Sequence, residues 1–342
     1  MSVIVTAAQQ MDLLVGVFRS FGATEEESTI QADVLTEADL RGVHSHGLQR
    51  LPVLVERMRR GLLRVAAEPA AEWRSDAVLC IDGRDGIGPA IAEHYLKEII
   101  PAARQHGIAA LAIRDTSHLG MLGYYGNRRA EEGFVCIGMT TSEALVHPYG
   151  GVEALVGTNP LSIAVPAVPR PFLFDMATSI VPMGRILTYM QQGQPLDEGW
   201  AVDARGNPTT DPEAATTGAI APTAGPKGYG LGVAIALLAG LLSGGDVGRA
   251  VRGTLDAEFR CTKGDLFFLI DPERFVGGAS LAANATKYLD ELRASKPQAG
   301  VDNVGVPGDR GYEIRKERLE FGIPHPEEIW YAAERLRTTG NS

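Results

Sequence analysis

Four short apolar runs do most to limit the fold of this chain. They lie at residues 108–113, 135–139, 161–165 and 172–174. Apolar runs of this length are typical of buried strands. Strands and helices do not alternate regularly along the chain, so the pattern favours a mixed or antiparallel sheet flanked by helices. The sequence therefore predicts an α+β fold.

The first 65 residues have a helical pattern instead. Thr6 with Gln9, and Thr24 with Glu27, have the spacing of a capping box, in which side chains satisfy free backbone N–H groups at the helix start. Apolar residues after the first box recur at helical intervals. We therefore expect a layer of helices that precedes the sheet.

Glycine and proline mark further boundaries. Gly88-Pro89 opens a predicted helix that ends near Gly107. Residues 190–226 are rich in Gly, Pro, Thr and Asp, and they predict long loops over the sheet.

A glycine-rich turn at Gly225-Pro226-Lys227-Gly228 leads into a predicted helix. Free backbone N–H groups and the positive end of the helix dipole attract phosphate at such a place, and Lys227 adds a full positive charge. Glycines at a helix start also serve close packing, which is the other interpretation of the turn. Neither G-x-G-x-x-G nor G-x-x-x-x-G-K-[ST] is present, which argues against a Rossmann domain and against a P-loop.

The stretch from Gly228 to Gly245 carries no charge and reaches the lower length limit of a membrane span. Six of its residues are glycine and no second such stretch exists, so we interpret it as a buried core helix. Residues 1–6 lack the basic region and the long apolar core of a signal peptide. We expect a cytoplasmic protein that does not bind membranes.

A first candidate site is the stretch Gly42-Val43-His44-Ser45-His46-Gly47-Leu48-Gln49-Arg50. Histidine passes protons near neutral pH, serine orients it or relays a proton, and arginine grips a carboxylate with its planar fork. Pro52 predicts that the next helix starts near Leu51, which leaves the cluster on the turn before it. The combination points to a small anionic substrate that gains or loses a proton. A lone histidine is more often structural, so the assignment needs a second observation.

A second polar cluster supplies the further observation that a functional role for the first cluster requires. The apolar run at 108–113 ends in Arg114-Asp115-Thr116-Ser117-His118-Leu119-Gly120. Polar groups at the end of a buried strand lie where ligands bind. His118 is either a functional group of this kind or a loop cap that hydrogen-bonds the backbone.

Charge and cysteine content exclude other classes of protein. A net charge of −10 argues against a nucleic-acid binder, which would present a basic face. Cys80, Cys136 and Cys261 are odd in number and far apart, so neither a disulfide framework nor a structural zinc site is indicated. We expect the thiols to be buried and reduced.

Three rival classes account for parts of the pattern. A Ser-His hydrolase would use Ser45 as its nucleophile, but G-x-S-x-G is absent and neighbours in sequence rarely have the required geometry. A metal enzyme would use His44 and His46, but H-E-x-x-H is absent. A binding protein without catalysis would not need the intact set of Ser45, His46, Arg50 and Lys227.

Taken together, the motifs resemble the malate/L-lactate dehydrogenase family of type 2 enzymes, from near the N-terminus to about residue 325. This family includes ureidoglycolate dehydrogenase, sulfolactate dehydrogenase and piperideine-2-carboxylate reductase. The motifs that carry the resemblance follow one order along the chain: 42–47 with Arg50, 117–120 with 123–125, Gly150-Gly151, 157–160, 175–179, 199–201, 208–212, 225–230 and 307–309.

The resemblance implies NAD or NADP as cofactor, held by a fold unrelated to Rossmann, and no metal. It implies a helical domain over residues 1–75, joined by about 285–342, and a cofactor-binding sheet domain over 76–284. It also implies a homodimer whose active site can draw on both subunits. The residues that match cofactor-binding segments are His118, Leu119, Gly120, Met121, Leu122, Ser142, Asp175, Met176, Ala177, Lys227, Gly228, Val306, Pro307, Gly308 and Asp309.

The same resemblance implies catalytic roles. Ser45 and His46 match a proton relay and proton donor, Arg50 matches the clamp for a substrate carboxylate, and Thr158 matches a substrate contact. In some members the acid/base role belongs to the histidine that matches His118. Both assignments stay open, with His46 favoured.

The expected reaction is hydride transfer between a small 2-hydroxy acid and its 2-oxo acid. A base takes the hydroxyl proton as the hydride leaves, and the same group returns it in reduction. Arg50 would orient the reacting carbon by fixing the carboxylate. The alternative is an NADPH-dependent reductase of a cyclic imine or a keto acid in a biosynthetic pathway.

Two positions depart from the family pattern. Leu119 stands where phenylalanine is common, and Arg185 follows Gly184 where lysine is frequent. Because arginine makes bidentate contacts, Arg185 predicts a second acidic group on the substrate, such as a carboxylate or a sulfonate. The other partner it could have is a structural carboxylate.

Overall fold

The computed structural model of the protein describes residues 2–339. Met1 and residues 340–342, which fall in the predicted helical domain, lie outside the described residues. Within this range the helices are α1 (Ala7–Ser20), α2 (Glu25–Leu40), α3 (Leu51–Arg59), α4 (Gly88–Glu98), α5 (Ile100–His106), α6 (Leu122–Glu131), α7 (Met183–Gln192), α8 (Pro212–Thr217), α9 (Pro226–Ile235), α10 (Gly278–Arg293), α11 (Asp309–Phe321) and α12 (Glu327–Thr339). The strands are β1 (Ser2–Val5), β2 (Ala70–Ser75), β3 (Val78–Gly86), β4 (Ile108–Thr116), β5 (Val135–Thr140), β6 (Ala144–Val146), β7 (Val156–Gly157), β8 (Leu161–Val165), β9 (Phe172–Met176), β10 (Ala201–Val202), β11 (Pro208–Thr209), β12 (Ala219–Ile220), β13 (Gly264–Ile270) and β14 (Ile323–Pro326).

The main sheet contains seven strands in the order β2-β3-β4-β13-β5-β8-β9. Only the β3–β4 pair is parallel among these neighbours, so the predicted mixed sheet is confirmed. The four apolar runs form β4, β5, β8 and β9, as expected. Helices α4, α5 and α6 cover one face of this sheet and bury its largest apolar cluster.

The central strand β13 determines where the polar ends of its neighbours meet. It runs antiparallel to both β4 and β5, with Gly264 opposite Arg114 and Asp265 opposite Thr140. The beginning of β13 therefore lies beside the ends of β4 and β5. This arrangement brings Thr116, Thr140 and Lys263 together at the same end of these three neighbouring strands.

The N-terminal helices form their own core with the C-terminal segment. Both predicted capping boxes, at Thr6 and Thr24, are present at the starts of α1 and α2. Apolar residues of α1, α2 and α3 pack with Ile323, Trp330 and Ala333. Strand β14 pairs with β1, which ties the C-terminal segment to the N-terminus. Strand β2 belongs to the main sheet although it precedes residue 76, and the division into two domains stays a prediction.

The helix predicted from Gly88 is interrupted once. α4 ends at Glu98 and α5 starts at Ile100, with Pro101 in its first turn. Gly107 ends α5 with a φ of 85°, a conformation that favours glycine.

The expectation of long loops over residues 190–226 is wrong. This stretch contains α8 and three two-residue strands, which join β6 and β7 in a five-stranded sheet of order β11-β10-β12-β6-β7. Strands of two residues are too short to give a periodic pattern. Buried Trp200, Ala215 and Ile220 supply the apolar core that orders them.

The interpretation of residues 228–245 as a buried core helix holds for one face only. α9 continues into a π-helical segment, Ala236–Leu241, whose Ala239 and Gly240 are buried. The other face exposes Leu231, Leu237, Leu238, Leu241 and Leu242, by 37 to 59% each. Within residues 2–339, no helix is both long and apolar enough to cross a membrane.

Candidate active site

A cavity of about 920 Å³ opens where β4 and β5 end and β13 begins. Both polar clusters found in the sequence contribute to its wall. The predicted site residues that line it are Ser45, His46, Arg50, His118, Leu119, Gly120, Ser142 and Thr158.

A buried carboxylate on α2 fixes the loop that carries the first cluster. Asp39 is 1% exposed, and it accepts hydrogen bonds from the backbone N–H of Leu48 at 2.7 Å and from Gln10 Nε2 at 2.7 Å. It also lies 3.0 Å from Nδ1 of His44. A Cβ atom at position 47 would overlap Asp39 Oδ1, so only glycine fits there. Asp39 was not predicted from the sequence. The feature that could have indicated it is the presence of an acidic residue on the buried face of α2.

The loop folds into two 3₁₀ turns, His44–His46 and Leu48–Arg50, before α3 begins at Leu51 as predicted. These turns place His46 5.2 Å from His118, measured between ring centroids. Ser45 Oγ lies 2.9 Å from His46 Nδ1. Two imidazoles and one hydroxyl thus share one wall of the cavity.

Both histidines are neutral at physiological pH. Burial lowers the pKa of His46 to about 4, and the charge of Arg50 acts in the same direction. Burial, followed by the positive charge of Arg50, lowers the pKa of His118 well below its ordinary value. Each ring is therefore uncharged in the free protein.

His118 is held in one tautomer by its own loop. The backbone N–H of Gly120 donates a 3.0 Å hydrogen bond to His118 Nδ1. A neutral imidazole has only one N–H, so its hydrogen is on Nε2. Of the two alternatives that the sequence left open for His118, the structure shows the hydrogen bond with the backbone, and the functional role stays a prediction.

Arg50 has unused hydrogen-bonding capacity inside the cavity. One terminal nitrogen donates to the carbonyl of Thr254, while Nε is buried and has no hydrogen-bond partner among residues 2–339. Glu143 holds the Thr254 loop by accepting from the backbone N–H of Thr254 at 2.7 Å and of Leu255 at 3.0 Å. Burial lowers the pKa of Arg50, and the carboxylate of Glu143 opposes that shift. A buried unpaired N–H costs free energy that an incoming carboxylate would remove.

The predicted cofactor segments around Asp175 lie beside the cavity. The backbone N–H of Gly123 donates to Asp175 Oδ2 at 2.6 Å, which joins the start of α6 to the end of β9. Burial raises the pKa of Asp175 to about 6, although this hydrogen bond opposes the shift. A Cβ atom on Gly308 would lie 2.9 Å from the carbonyl of Leu173, so residues 306–309 contact the same strand.

A second set of cofactor segments is connected through backbone hydrogen bonds. Ser142 Oγ and Thr158 Oγ1 are 3.0 Å apart, and the Thr158 carbonyl accepts from the backbone of Thr178 at 2.8 Å. Thr178 in turn accepts from the backbone N–H of Thr223 at 2.9 Å, and a Cβ atom on Gly228 would overlap the Thr223 carbonyl. The glycine-rich turn at the start of α9 is therefore part of the same surface.

These segments fit a dinucleotide. They combine an exposed lysine in the first turn of α9, a backbone close enough that glycine is required at 228, and the carboxylate of Asp175 at the end of β9, which accepts from the backbone N–H of Gly123 in α6. The predicted residues that do not themselves line the cavity are Met121, Leu122, Asp175, Met176, Ala177, Lys227, Gly228, Val306, Pro307, Gly308 and Asp309.

Arg185 does not line the cavity, although α7 contributes Met183, Leu187 and Gln191 to the wall. Its guanidinium carbon lies 5.2 Å from the ring centre of Trp200 and 5.9 Å from that of Tyr189. The side chain thus stacks on aromatic rings, which neither predicted alternative included. Its role as a substrate contact stays a prediction.

The wall also contains residues that were not predicted, among them Thr140, Thr141 and Lys263. Their signal in the sequence is weak. The triplet Lys263-Gly264-Asp265 places two opposite charges at the start of an apolar strand, where buried strands seldom carry them.

Comparison with known proteins gives one consistent result. A family model described as malate/L-lactate dehydrogenase matches residues 5–333. The chain is 37% identical to L-sulfolactate dehydrogenase of Methanocaldococcus jannaschii over 90% of both chains. It is 34% identical to ureidoglycolate dehydrogenase (NAD(+)) of Escherichia coli, over 90% of this chain and 88% of that one. It is 33% identical to (2R)-3-sulfolactate dehydrogenase (NADP(+)) of Chromohalobacter salexigens, over 94% of both.

Solved structures agree with the sequence relatives. A dehydrogenase from Sinorhizobium meliloti superposes with a TM-score of 0.94 at 41% identity, covering 98% of both chains. Delta1-piperideine-2-carboxylate reductase from Pseudomonas syringae superposes with a TM-score of 0.88 at 29% identity, covering 98% of this chain and 99% of that one.

Proposed function

This chain belongs to the malate/L-lactate dehydrogenase family, and we propose that its cavity interconverts a small 2-hydroxy acid and its 2-oxo acid by NAD- or NADP-dependent hydride transfer. The observation that carries the proposal is the half-buried Arg50, whose buried Nε lacks a partner among residues 2–339, beside two neutral imidazoles. A carboxylate on Arg50 would place the adjacent carbon of the substrate against the histidines.

His46 is the residue that we assign as acid/base. When its Nδ1–H donates to Ser45 Oγ, Nε2 presents a free lone pair that can take the hydroxyl proton. His118 would have to break the hydrogen bond from Gly120 before its Nδ1 could take a second proton. Its Nε2–H is instead suited to donate to the substrate oxygen throughout the reaction.

The nicotinamide cofactor, when bound, accepts or supplies the hydride. The residues that would hold it are those of the second polar cluster, Ser142, the segment 175–177, the turn at Lys227-Gly228 and the segment 306–309. Arg50 and Thr158 would orient the substrate, and Ser45 would orient His46. Leu119 is 2% exposed and lines the cavity, so it helps exclude water from the reacting atoms.

We also propose a homodimer. α9 and the segment that follows it expose five leucines within twelve residues, and a second copy of the chain would cover them. Leu241→Lys should then shift the protein to a smaller species in light scattering. We place the protein in the cytoplasm, where its three free cysteines would stay reduced.

The test is a panel of 2-oxo acids and a cyclic imine carboxylate, each assayed with NADH and with NADPH in the presence of a chelator. Turnover of a 2-oxo acid that survives the chelator supports the proposal. Turnover of the cyclic imine alone would instead support the reductase function that the solved reductase structure carries. Turnover of no substrate, in a protein that binds the dinucleotide, would reject both.

A further inference from the structure

Lys263 lies in the cavity wall with its side chain almost fully buried. Only 1% of the residue is exposed, yet it lines the same cavity as Arg50, His46 and His118. Its ammonium group donates to Asp265 Oδ2 and, at 3.4 Å, to Thr116 Oγ1. An ammonium has three N–H groups, so these two bonds leave one for the cavity.

The arrangement around Lys263 is poorly explained by stability. Asp265 and Thr116 are both 0% exposed, so a charged pair is taken out of water, and such pairs contribute little or even cost free energy. The second oxygen of Asp265 is buried and has no hydrogen-bond partner within residues 2–339, which adds a further cost. Asp265 and Thr116 instead fix the direction of the lysine.

The sheet register puts this ammonium close to the groups that act on the substrate. Gly264 exchanges hydrogen bonds with Thr141, whose backbone precedes Ser142, and Thr116 is two residues before His118. The field of Lys263 reaches His118 and acts there in the same direction as that of Arg50. Among the described residues that line the cavity, the charged side chains are Arg50, Lys263 and Glu328, and Glu328 is exposed.

We propose that Lys263 binds a second acidic group of the substrate, so that this protein prefers 2-oxo and 2-hydroxy acids with two negative charges over those with one. The inference rests on the proposed function, since Arg50 would hold the first carboxylate. In this proposal Lys263 takes the role that the sequence assigned to Arg185, which stacks on Trp200 outside the cavity.

The test compares kcat/KM for oxaloacetate and for 2-oxobutanoate, which is similar in length but lacks the distal charge. Variants are Lys263→Met, Lys263→Arg and the double variant Lys263→Met with Asp265→Asn, which leaves no unpaired buried carboxylate. Lys287→Met removes an exposed lysine on α10 and is the matched control. Arg185→Gln tests the rival residue.

Loss of one charge-assisted hydrogen bond should lower the oxaloacetate to 2-oxobutanoate ratio by roughly 10- to 100-fold in both Lys263→Met variants. The rate with 2-oxobutanoate and the Kd of the cofactor should change less than about threefold, since neither uses the distal contact. Lys263→Arg keeps the charge and should retain most of the ratio, and the control should match the wild type.

Several outcomes overturn the inference. Equal losses on both substrates would make Lys263 a structural residue, and an unchanged ratio in the folded double variant would place the distal contact elsewhere. A ratio that falls in Arg185→Gln alone would assign it to Arg185. A wild type that reduces 2-oxobutanoate as well as oxaloacetate rejects the role of Lys263 while the proposed dehydrogenase function survives, whereas a wild type that reduces no 2-oxo acid of the panel rejects both.

Discussion

Oxidation of a 2-hydroxy acid should be insensitive to pH across the range where an ordinary histidine titrates. Burial and the charge of Arg50 put the pKa of His46 at about 4. A base with that pKa is about 97% neutral at pH 5.5, whereas one with a pKa of about 6.5 is only about 10% neutral. The kcat/KM of the hydroxy acid should therefore change by less than about 1.5-fold between pH 8 and pH 5.5, instead of falling about tenfold.

The assay measures initial rates of dinucleotide reduction at saturating cofactor. Saturation matters because Asp175, with a pKa of about 6, titrates in this window next to the proposed cofactor surface. His46→Asn, measured in parallel, should lower kcat by roughly 100-fold while the Kd of the cofactor is retained. A tenfold loss in the wild type with a midpoint near pH 6.5, absent from His46→Asn, would refute the argument from burial. Turnover that survives in His46→Asn but is abolished in His118→Asn would transfer the acid/base role to His118.

Four further outcomes follow from single contacts. Arg50→Lys keeps the charge but loses the fork, so kcat/KM should fall roughly 10-fold or more, mainly through KM, and parity with the wild type would place the clamp elsewhere. Lys227→Ala should raise the Kd of the cofactor roughly 10-fold in a fluorescence titration, and an unchanged Kd would remove Lys227 from the phosphate site. Gly47→Ala overlaps Asp39 and should lower the free energy of unfolding by about 1–3 kcal/mol in urea together with activity, so a wild-type midpoint would contradict the fit. Cofactor affinity should weaken as pH falls through about 6, where the carboxylate of Asp175 gains its proton, and Asp175→Asn should remove that dependence.

The sequence predicted the parts of the fold whose signals are local. Short, mainly apolar runs predicted the positions of β4, β5, β8 and β9, because a strand that is buried on both faces carries few polar residues. The small sheet escaped prediction because β10, β11 and β12 are two residues long and are ordered by contacts with apolar residues that are distant in sequence, such as Val146 and Ile186. The exposed leucines of α9 and the following segment were not predicted, because the sequence of a helix that is apolar all round does not show which face is buried and which is exposed.

The same distinction holds for the cavity. His46, Arg50 and His118 belong to motifs that are continuous in sequence, and the structure brings them to one wall. Lys263 and Glu143 act there through sheet pairing and loop contacts, at separations along the chain that no local motif records. Candidate site residues that share a continuous motif can thus be predicted from the sequence. Residues that other strands contribute to the cavity are found only from the strand pairing in the structure.

The pairing of β1 with β14 sets the order in which this site can be completed during synthesis. His325 on β14 lies 2.8 Å from the side-chain oxygen of Gln10, 315 residues away, and Gln10 in turn donates to the carboxylate of Asp39. Every group proposed to touch substrate precedes β14 in the chain, so it is synthesised before β14. Chains begin to fold from the N-terminus as they emerge from the ribosome. Until then Asp39 lacks the brace that holds the loop of His46 in place. A chain that stops short of Ile323 would therefore contain all the proposed catalytic side chains but lack the contact of His325 with Gln10 that supports their loop.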